Sequence, residues 1–468
     1  MREETDLAAS RSGRGPEHDV DPIDVPGFVE AIVGAIDVRD VEALRGLVAD
    51  LHETDLARLL EALPASERPR MIELLGSDFD FTALTELDET VRVQILQELS
   101  TQTVVEGLRD LDSDDAVYIL EDLDEAEKQE ILAQLPIPER ATLQRSLDFP
   151  EESAGRRMQT EFIALPPFWT VGQALDYIGE TDGLPEVFFE VFVVNPTFRL
   201  SGSVPLDRLL RTKRGVKIGE VVTADRHVVN VTDDQEDVAR VFERYNLISA
   251  PVVDEAGRLV GVLTVDDIVD VIQEEADEDL KALGGVAGDE ELSDSFWYIA
   301  RSRFTWLFLN LIAANLASFV ISMFEDELQK MVALAVLMPI VASQGGNAGT
   351  QTMTVAVRAL ATRELRTSNA GRIIARELLV GLFNGVVFAV IMAVVVFARF
   401  GVADLGFVIA LAMIINLVAA ALGGILIPLT LNRFKIDPAV SSGPFVTTIT
   451  DVVGFFAFLG IASLWFQT

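Results

Sequence analysis

The sequence predicts a multidomain membrane protein: an all-α superhelical N-terminal domain, an α/β pair of tandem small domains, and an α-helical membrane domain of five spans. Three observations predict it. Residues 1–295 hold 66 of the 74 Asp and Glu against 26 of the 37 Lys and Arg, whereas residues 296–468 hold 8 acids against 11 bases. That last part contains five apolar runs near the ~20 residues a bilayer crossing requires. A block of strand, turn, strand and helix start occurs twice, at an offset of 59 residues.

Taken in order, residues 1–25 are polar and acidic and are expected to be disordered. They lack the apolar stretch of a signal peptide, so the N-terminus is expected to stay in the cytoplasm. Residues 26–154 read as short amphipathic helices. Leu59-Leu60-Glu61-Ala62-Leu63 returns as Ile95-Leu96-Gln97-Glu98-Leu99 and as Ile119-Leu120-Glu121-Asp122-Leu123. Irregular recurrence of one helical unit suggests a superhelix in which each hairpin buries its apolar face on the next, and an ordinary helical bundle is the alternative.

Residues 155–265 carry the duplication, with copies at 155–214 and 215–275 and the last helix running on into a linker. The run from Pro251 through Gly261 and Thr264 to Asp267 repeats the run from Phe192 through Gly202 and Pro205 to Asp207. Asp254 to Gly257 is a hairpin turn between β-branched runs. Thr264 caps the helix that Asp266 and Asp267 begin. This block resembles a tandem pair of CBS domains. In that family a Thr-x-x-Asp holds the ribose of an adenine nucleotide. The resemblance therefore implies nucleotide binding, ATP included, at Thr264 and Asp267, where plain helix capping is the other reading. The first copy has Pro205 and Arg208 instead, so one such site at most is expected.

Residues 266–295 form a linking helix and linker, stopping at Gly284-Gly285, a C-terminal signal. Asp267, Asp270, Glu274 and Glu278 share one face of the helix. Like charges at that spacing each cost about 0.2–0.5 kcal/mol. A solvated acidic face is the ordinary reading, but divalent cations would offset the repulsion.

Five spans are expected in 296–468, at 299–324, 331–360, 378–400, 405–431 and 445–466. Arg358, Arg363, Arg366, Arg372 and Arg376 crowd the connection between spans two and three, while Glu325, Asp326 and Glu327 lie between spans one and two. The positive-inside rule then places the N-terminus inside and the C-terminus outside, as an odd number of spans requires. Span two is expected to be interrupted at Ser343–Gly349, since broken helices at membrane depth survive where they line water. Asp451 is the only acid deep in a span, and such a group normally faces a cavity, a partner or an ion. Pro339, Gly345, Gly346, Asn347, Gln351, Asn416 and Thr447 are expected to line the same path.

Composition excludes much. With 74 acids against 37 bases, nucleic acid is not an expected partner. There is no Cys, and His18, His52 and His227 lack metal-ligand spacing, so thiolate zinc sites and zincin chemistry are excluded. No P-loop occurs, and no enzymatic activity is expected. Oxygen ligands suit Mg²⁺ or Ca²⁺, and Mg²⁺ keeps part of its water shell. A two-fold dimer would bring two Asp451 residues together.

The whole architecture resembles the MgtE magnesium channels, over residues 38–468. The runs from Pro339 to Gln351 and from Gly443 to Asp451 carry the resemblance most specifically. It implies a homodimer in the cytoplasmic membrane whose axial pore takes up hydrated Mg²⁺ at Asp451. It also implies cytosolic Mg²⁺ sites that close the pore at high Mg²⁺, among them Asp267, Asp270, Glu275 and Glu278, with Asp114 and Asp115 in the N domain. Asn246 departs from the family, which often has Asp there, and this puts one sensor ligand in doubt. Another divalent ion (Co²⁺, Ni²⁺ or Ca²⁺), or a nucleotide-gated sensor without transport, remains as the alternative.

Overall fold

The computed structural model describes residues 23, 25–185, 187–223, 227–288, 290, 296–365 and 369–466. The disorder expected of residues 1–25 lies almost wholly outside the described residues. The chain divides into two compact units, the first ending at Ile272 and the second beginning at Gln273.

The first unit opens with nine short helices: α1 (Phe28–Val38), α2 (Val41–Val48), α3 (Glu53–Ala62), α4 (Arg68–Leu75), α5 (Glu89–Glu98), α6 (Thr101–Leu108), α7 (Ser113–Glu121), α8 (Glu125–Gln134) and α9 (Ile137–Leu147). Side-chain caps start several of them. Asp88 accepts from the Thr90 amide, Ser100 from Thr103, and Asp124 forms a capping box with Glu127. The recurring pentapeptide ends helices. Leu63 and Leu99 follow α3 and α5 in extended conformation, and each turns into the core. Ile131-Leu132-Ala133-Gln134-Leu135 ends α8 the same way, a fourth copy that the sequence reading missed. One apolar core runs through all nine helices, from Ile32 to Leu143. Arg92 is enclosed within it, paired with Asp122, donating to the Leu87 carbonyl at 3.0 Å and lying 4.4 Å from the Tyr118 ring centroid.

The duplicated block follows: α10 (Ala154–Arg157), β1 (Ala164–Leu165), α11 (Val171–Glu180), β2 (Glu190–Val194), β3 (Leu200–Pro205), α12 (Leu206–Arg211), α13 (Ile218–Val221), β4 (Val229–Asn230), α14 (Gln235–Tyr245), β5 (Ser249–Val253), β6 (Leu259–Thr264) and α15 (Val265–Leu283). Two three-stranded sheets form, β1-β2-β3 and β4-β5-β6. The hairpins repeat residue for residue: Glu190 pairs with Pro205 as Ser249 does with Thr264, and both carry an irregularity at the same place. The turn needs a left-handed residue, supplied by Gly257 in one copy and by Phe198 in the other. Equivalent positions touch across the pair, where the Ser249 hydroxyl donates to Glu190 at 2.7 Å. Asn246 ends α14 at φ 51°, a left-handed cap that Asn tolerates well.

The second unit contains the five apolar helices: α16 (Phe296–Ser322), α18 (Val332–Ala361), α19 (Ala370–Phe400), α20 (Ala403–Arg433) and α21 (Pro438–Phe466), with α17 (Glu325–Lys330) between the first two. All five are long and apolar enough to cross a membrane, and α20 is the most enclosed. The expected interruption of span two is absent. α18 is one α-helix through Ser343–Gly349 despite Pro339 inside it. Its buried side is Leu337, Val341, Gly345, Gly349 and Met353, so two of the glycines serve close helix packing rather than a break.

Candidate ion path and acidic cluster

Asn416 on α20 has no exposed surface, and its amide donates to the Val341 carbonyl of α18 at 2.8 Å. A β-carbon built on Gly345 would lie 2.2 Å from Asn416 Nδ2, and one on Gly454 of α21 would lie 2.7 Å from it. Asn416 and Gly345 therefore belong to the packed junction of three helices, which corrects their expected place along an open path. A buried amide pays for itself only when it finds a carbonyl, and the two glycines make room for it. Gly346 has nothing within 4 Å of such an atom. Gly345→Ala is therefore expected to cut the yield of folded protein in detergent, while Gly346→Ala elutes and melts like the parent. Equal behaviour of the two would count against the junction.

The opposite side of α18 carries the polar groups. Pro339, Ser343, Asn347, Thr350, Gln351 and Thr354 are all exposed in the single chain. They recur every three or four residues, so they form one stripe. Beside it runs α21, which crosses α18 where Gly349 meets Val446 and Thr450. Asp451 follows Thr450, half-buried near the middle of α21. Among the described residues no hydrogen bond or ion pair holds its carboxylate. Thr447, one turn earlier, is exposed, but its hydroxyl donates to the Gly443 carbonyl at 3.1 Å. The hydroxyls of Thr448 and Thr450 likewise return to carbonyls of their own helix. That leaves the carboxylate as the free acceptor of this face.

Near these helices the second unit also holds the end of α15. Ala282 packs with Met353 and Val357 of α18 and with Ala439 and Val446 of α21. Helix α15 stops with Gly285 left-handed at φ 74° and Val286 donating back to Lys281, the expected end. Glu275 and Glu278 are half-buried in this unit, and Glu278 packs on Gly288.

In the first unit, Asp114 and Asp115 occupy the first turn of α7, and Asp267 the first turn of α15. Burial holds the Asp114 carboxyl well above the usual carboxylate range, with Asp267, Asp115 and Asp112 adding repulsion. Asp115 is pushed up to about 7 by burial, then by Asp267, Asp112, Asp266 and Glu86. Asp267 is pushed up to about 6 by burial and by Asp266 and Asp270, even though the Thr264 hydroxyl donates to it. Asp270 is raised by burial and by Asp266, and lowered by Arg157. The sequence reading did not include Asp112, Asp266 or Glu86 in this cluster. An acidic first turn in α7 was the available signal. Among the described residues no three His, Cys, Asp or Glu converge tightly enough to hold a metal ion directly. Thr264 and Asp267 are bonded to each other, so a ribose would have to displace that bond.

Comparison with known proteins places these features. The family model described as the MgtE intracellular N domain matches residues 51–152, the CBS domain model matches 218–274, and the MgtE model, a divalent cation transporter, matches 338–461. The chain is 34% identical over 317 residues to the magnesium transporter MgtE of Bacillus subtilis, covering 68% of this chain and 70% of that protein. It is 36% identical over 316 residues to that of Enterococcus faecalis, with 68% and 70% covered. Among solved structures, the soluble part of a magnesium transporter superposes with TM-score 0.49 at 26% identity, over 53% of this chain and 98% of that one. The cytosolic domain of the Mg²⁺ channel MgtE in complex with ATP gives TM-score 0.49 at 29% identity, over 52% and 99%. A chain with this helical domain, CBS pair and five-helix membrane unit is a divalent-cation transporter by class. It belongs to the MgtE family.

Proposed function

We propose that this chain takes Mg²⁺ up across the cytoplasmic membrane as a homodimeric channel, and that cytosolic Mg²⁺ closes it. The observation that carries the reading is the polar stripe of α18 beside Asp451. Facing acyl chains, this stripe would leave the side-chain amides of Asn347 and Gln351 without water, although the Thr354 hydroxyl returns to the Thr350 carbonyl at 3.0 Å. A second copy across a wet axis removes that cost and sets two carboxylates on one path. The relatives' names, magnesium transporter, fit a path of carboxylate, amide and hydroxyl oxygens. Such a path suits an ion that keeps its water shell. The basic connection between α18 and α19 then lies in the cytoplasm, with the soluble unit, and the C-terminus lies outside.

For gating, Mg²⁺ is proposed to bind through water among Asp114, Asp115, Asp267 and Asp270 of the first unit, and separately at Glu275 and Glu278 of the second. Loss of Mg²⁺ releases mutual repulsion, and the movement of α15, whose end packs on α18 and α21, frees the pore. Only differential affinity shifts such an equilibrium, so several weak sites acting together are required. Flux of Mg²⁺ into liposomes holding the purified full chain, with Co²⁺, Ni²⁺ and Ca²⁺ as competitors, tests the reading. Mg²⁺ flux that falls as cytosolic-side Mg²⁺ rises supports it. No flux of any divalent ion would leave a sensor without transport.

The raised carboxyls give a pH dependence. Without divalent cations, the folded unit binds more protons than the unfolded chain from about pH 4 to about 7. Stability is therefore expected to fall as pH rises through that window. Mg²⁺ must displace these protons, so its stabilising effect grows with pH. Denaturation midpoints of the full chain at pH 5.5 and 7.5, with EDTA and with Mg²⁺, check both signs. A midpoint in EDTA that rises with pH would contradict the assignment.

A second ligand, an adenine nucleotide, is favoured by the cleft beside Thr264. It is lined by Phe162, Phe189 and Glu190 among others, an apolar and acidic wall of the kind a base and ribose can use.

A further inference from the structure

Helix α19 has one face that the rest of the chain leaves uncovered. Gly381, Gly385, Ala389 and Val396 are buried and mark its packed side. At about 100° per residue, Arg372, Arg376, Phe383, Val387, Val390 and Val394 fall within about 60° of one another on the opposite side. All six are exposed. The reverse of the same first turns is occupied, because Ile373 and Ile374 pack with Ala356 of α18, Ile425 of α20 and Leu365. The two arginines therefore stand on the side turned away from that packing. Among the described residues no side-chain bond holds the Arg372 guanidinium. Arg376 pairs with its neighbour Glu377 at 3.1 Å, and its side chain stays 64% exposed. A guanidinium has five donors, so Arg376 can hold Glu377 and a second acceptor at once.

Depth says what these groups meet. Leu379 and Phe397 are the first and last large apolar residues exposed on α19. At ~1.5 Å per residue they are roughly 27 Å apart, close to the ~30 Å of a hydrocarbon core. Arg399, 5.5 Å from the Phe400 ring centroid, follows at the far end. At the near end Arg376 lies roughly 5 Å beyond Leu379, and Arg372 roughly 10 Å beyond it. The headgroup layer is about 5–8 Å thick on each side, so both guanidinium groups reach it. Two cations in that layer, directly above an apolar strip, match the phosphate and the acyl chain of one anionic phospholipid. A zwitterionic lipid brings its own cation to the same place. A second copy of this chain fits worse, since two-fold pairing of this face sets arginine against arginine.

We propose that the outer face of α19 is a binding site for an anionic phospholipid: Arg372 and Arg376 hold its phosphate, and an acyl chain lies along Phe383, Val387 and Val390. The lipid braces the first turns of α19 from outside, while Ile373 and Ile374 hold them to α18 and α20 from inside. Bound lipid therefore stabilises the membrane unit by mass action. The site depends on α19 crossing the bilayer and not on transport or gating. Only the leaflet that supplies the lipid follows from the orientation proposed above.

The test is lipid retention by the purified full chain in detergent, read by native mass spectrometry during titration with phosphatidylglycerol or phosphatidylcholine. The parent is expected to retain phosphatidylglycerol in preference. Arg372→Gln with Arg376→Gln is expected to weaken that retention about thirtyfold, about fivefold for each arginine, and to leave phosphatidylcholine unchanged. Should this pair not elute as folded protein, Arg372→Gln alone supplies the fivefold step. Arg372→Lys with Arg376→Lys keeps the charge without the planar fork and loses only a small part of the retention. Arg433 and Lys435 are exposed at the end of α20, on the same side of the membrane unit but off the stripe. Arg433→Gln with Lys435→Gln therefore removes two charges and keeps parent-like retention. Melting temperature gives a second readout: phosphatidylglycerol raises it in the parent and not in the Arg372, Arg376 glutamine variant. Equal retention of the two lipids by the parent, or parent-like retention by that glutamine variant, overturns the proposal. An equal loss in the Arg433, Lys435 variant overturns it in favour of a diffuse basic rim. Stabilisation by inorganic phosphate as large as that by phosphatidylglycerol makes this a plain anion site and overturns it too. A changed oligomeric mass in the Arg372, Arg376 variant with lipid retention intact assigns the face to a second copy instead.

Discussion

Asp451→Asn is expected to abolish Mg²⁺ flux while the protein still assembles. A divalent ion about 5 Å from one carboxylate gains about 2–7 kcal/mol, depending on whether the effective dielectric is nearer water or a protein surface. Asn keeps the shape and an acceptor oxygen but forfeits that attraction, in both copies of a dimer at once. The stripe of amides and hydroxyls on α18 cannot replace it, because neutral oxygens exert no long-range pull. Flux should fall by at least about a hundredfold, with elution volume and melting temperature unchanged. Asp451→Glu, which restores the charge on a longer arm, should recover part of the flux. Normal conduction by the Asn variant would remove Asp451 from the path.

The second large effect concerns closure. A chain with Asp267, Asp270, Glu275 and Glu278 replaced by Asn or Gln should stay open at Mg²⁺ levels that shut the parent, and adding Asp114→Asn and Asp115→Asn should not restore closure. Two effects compete here. Neutral side chains remove the repulsion that opens the soluble unit, and they also remove the groups that cations bridge. Bridging wins when Mg²⁺ is high, since a divalent cation attracts each carboxylate twice as strongly as a neighbouring carboxylate at the same distance repels it. What the variant loses is the cation's own contribution, which neutral Asn and Gln side chains do not replace. Flux measured against Mg²⁺ on the soluble side decides. A parent-like closing curve would rule out these acids as the sensor.

Much of the architecture was legible in the sequence because its signals are strong and local. Twenty-residue apolar runs gave the five membrane helices, although α19 and α21 begin earlier than hydropathy alone shows, at Ala370 and Pro438. Charged or proline-bearing first turns end an apolar run without ending a helix. The 59-residue offset gave both hairpins, down to their register. The continuous course of α18 was not legible, because Pro and Gly break isolated helices, while here Gly345 and Gly349 are held by close neighbours. Nor was the role of Asn416, since an amide within a span reads alike whether it faces an ion or a carbonyl. The acidic cluster was legible only in part. Asp114 and Asp267 are far apart in the chain, and nothing local in the sequence pairs them.

The knot of Gly345, Asn416 and Gly454 constrains how this membrane unit can drift over evolutionary time. None of the three positions can accept a larger neighbour alone. A methyl group at either glycine is viable only once Asn416 has shrunk, and a shrunken 416 leaves a hole that favours a bulkier partner. Across descendants of this chain the trio is expected to mutate in concert, so that substitutions at one site leave a correlated trace at the other two.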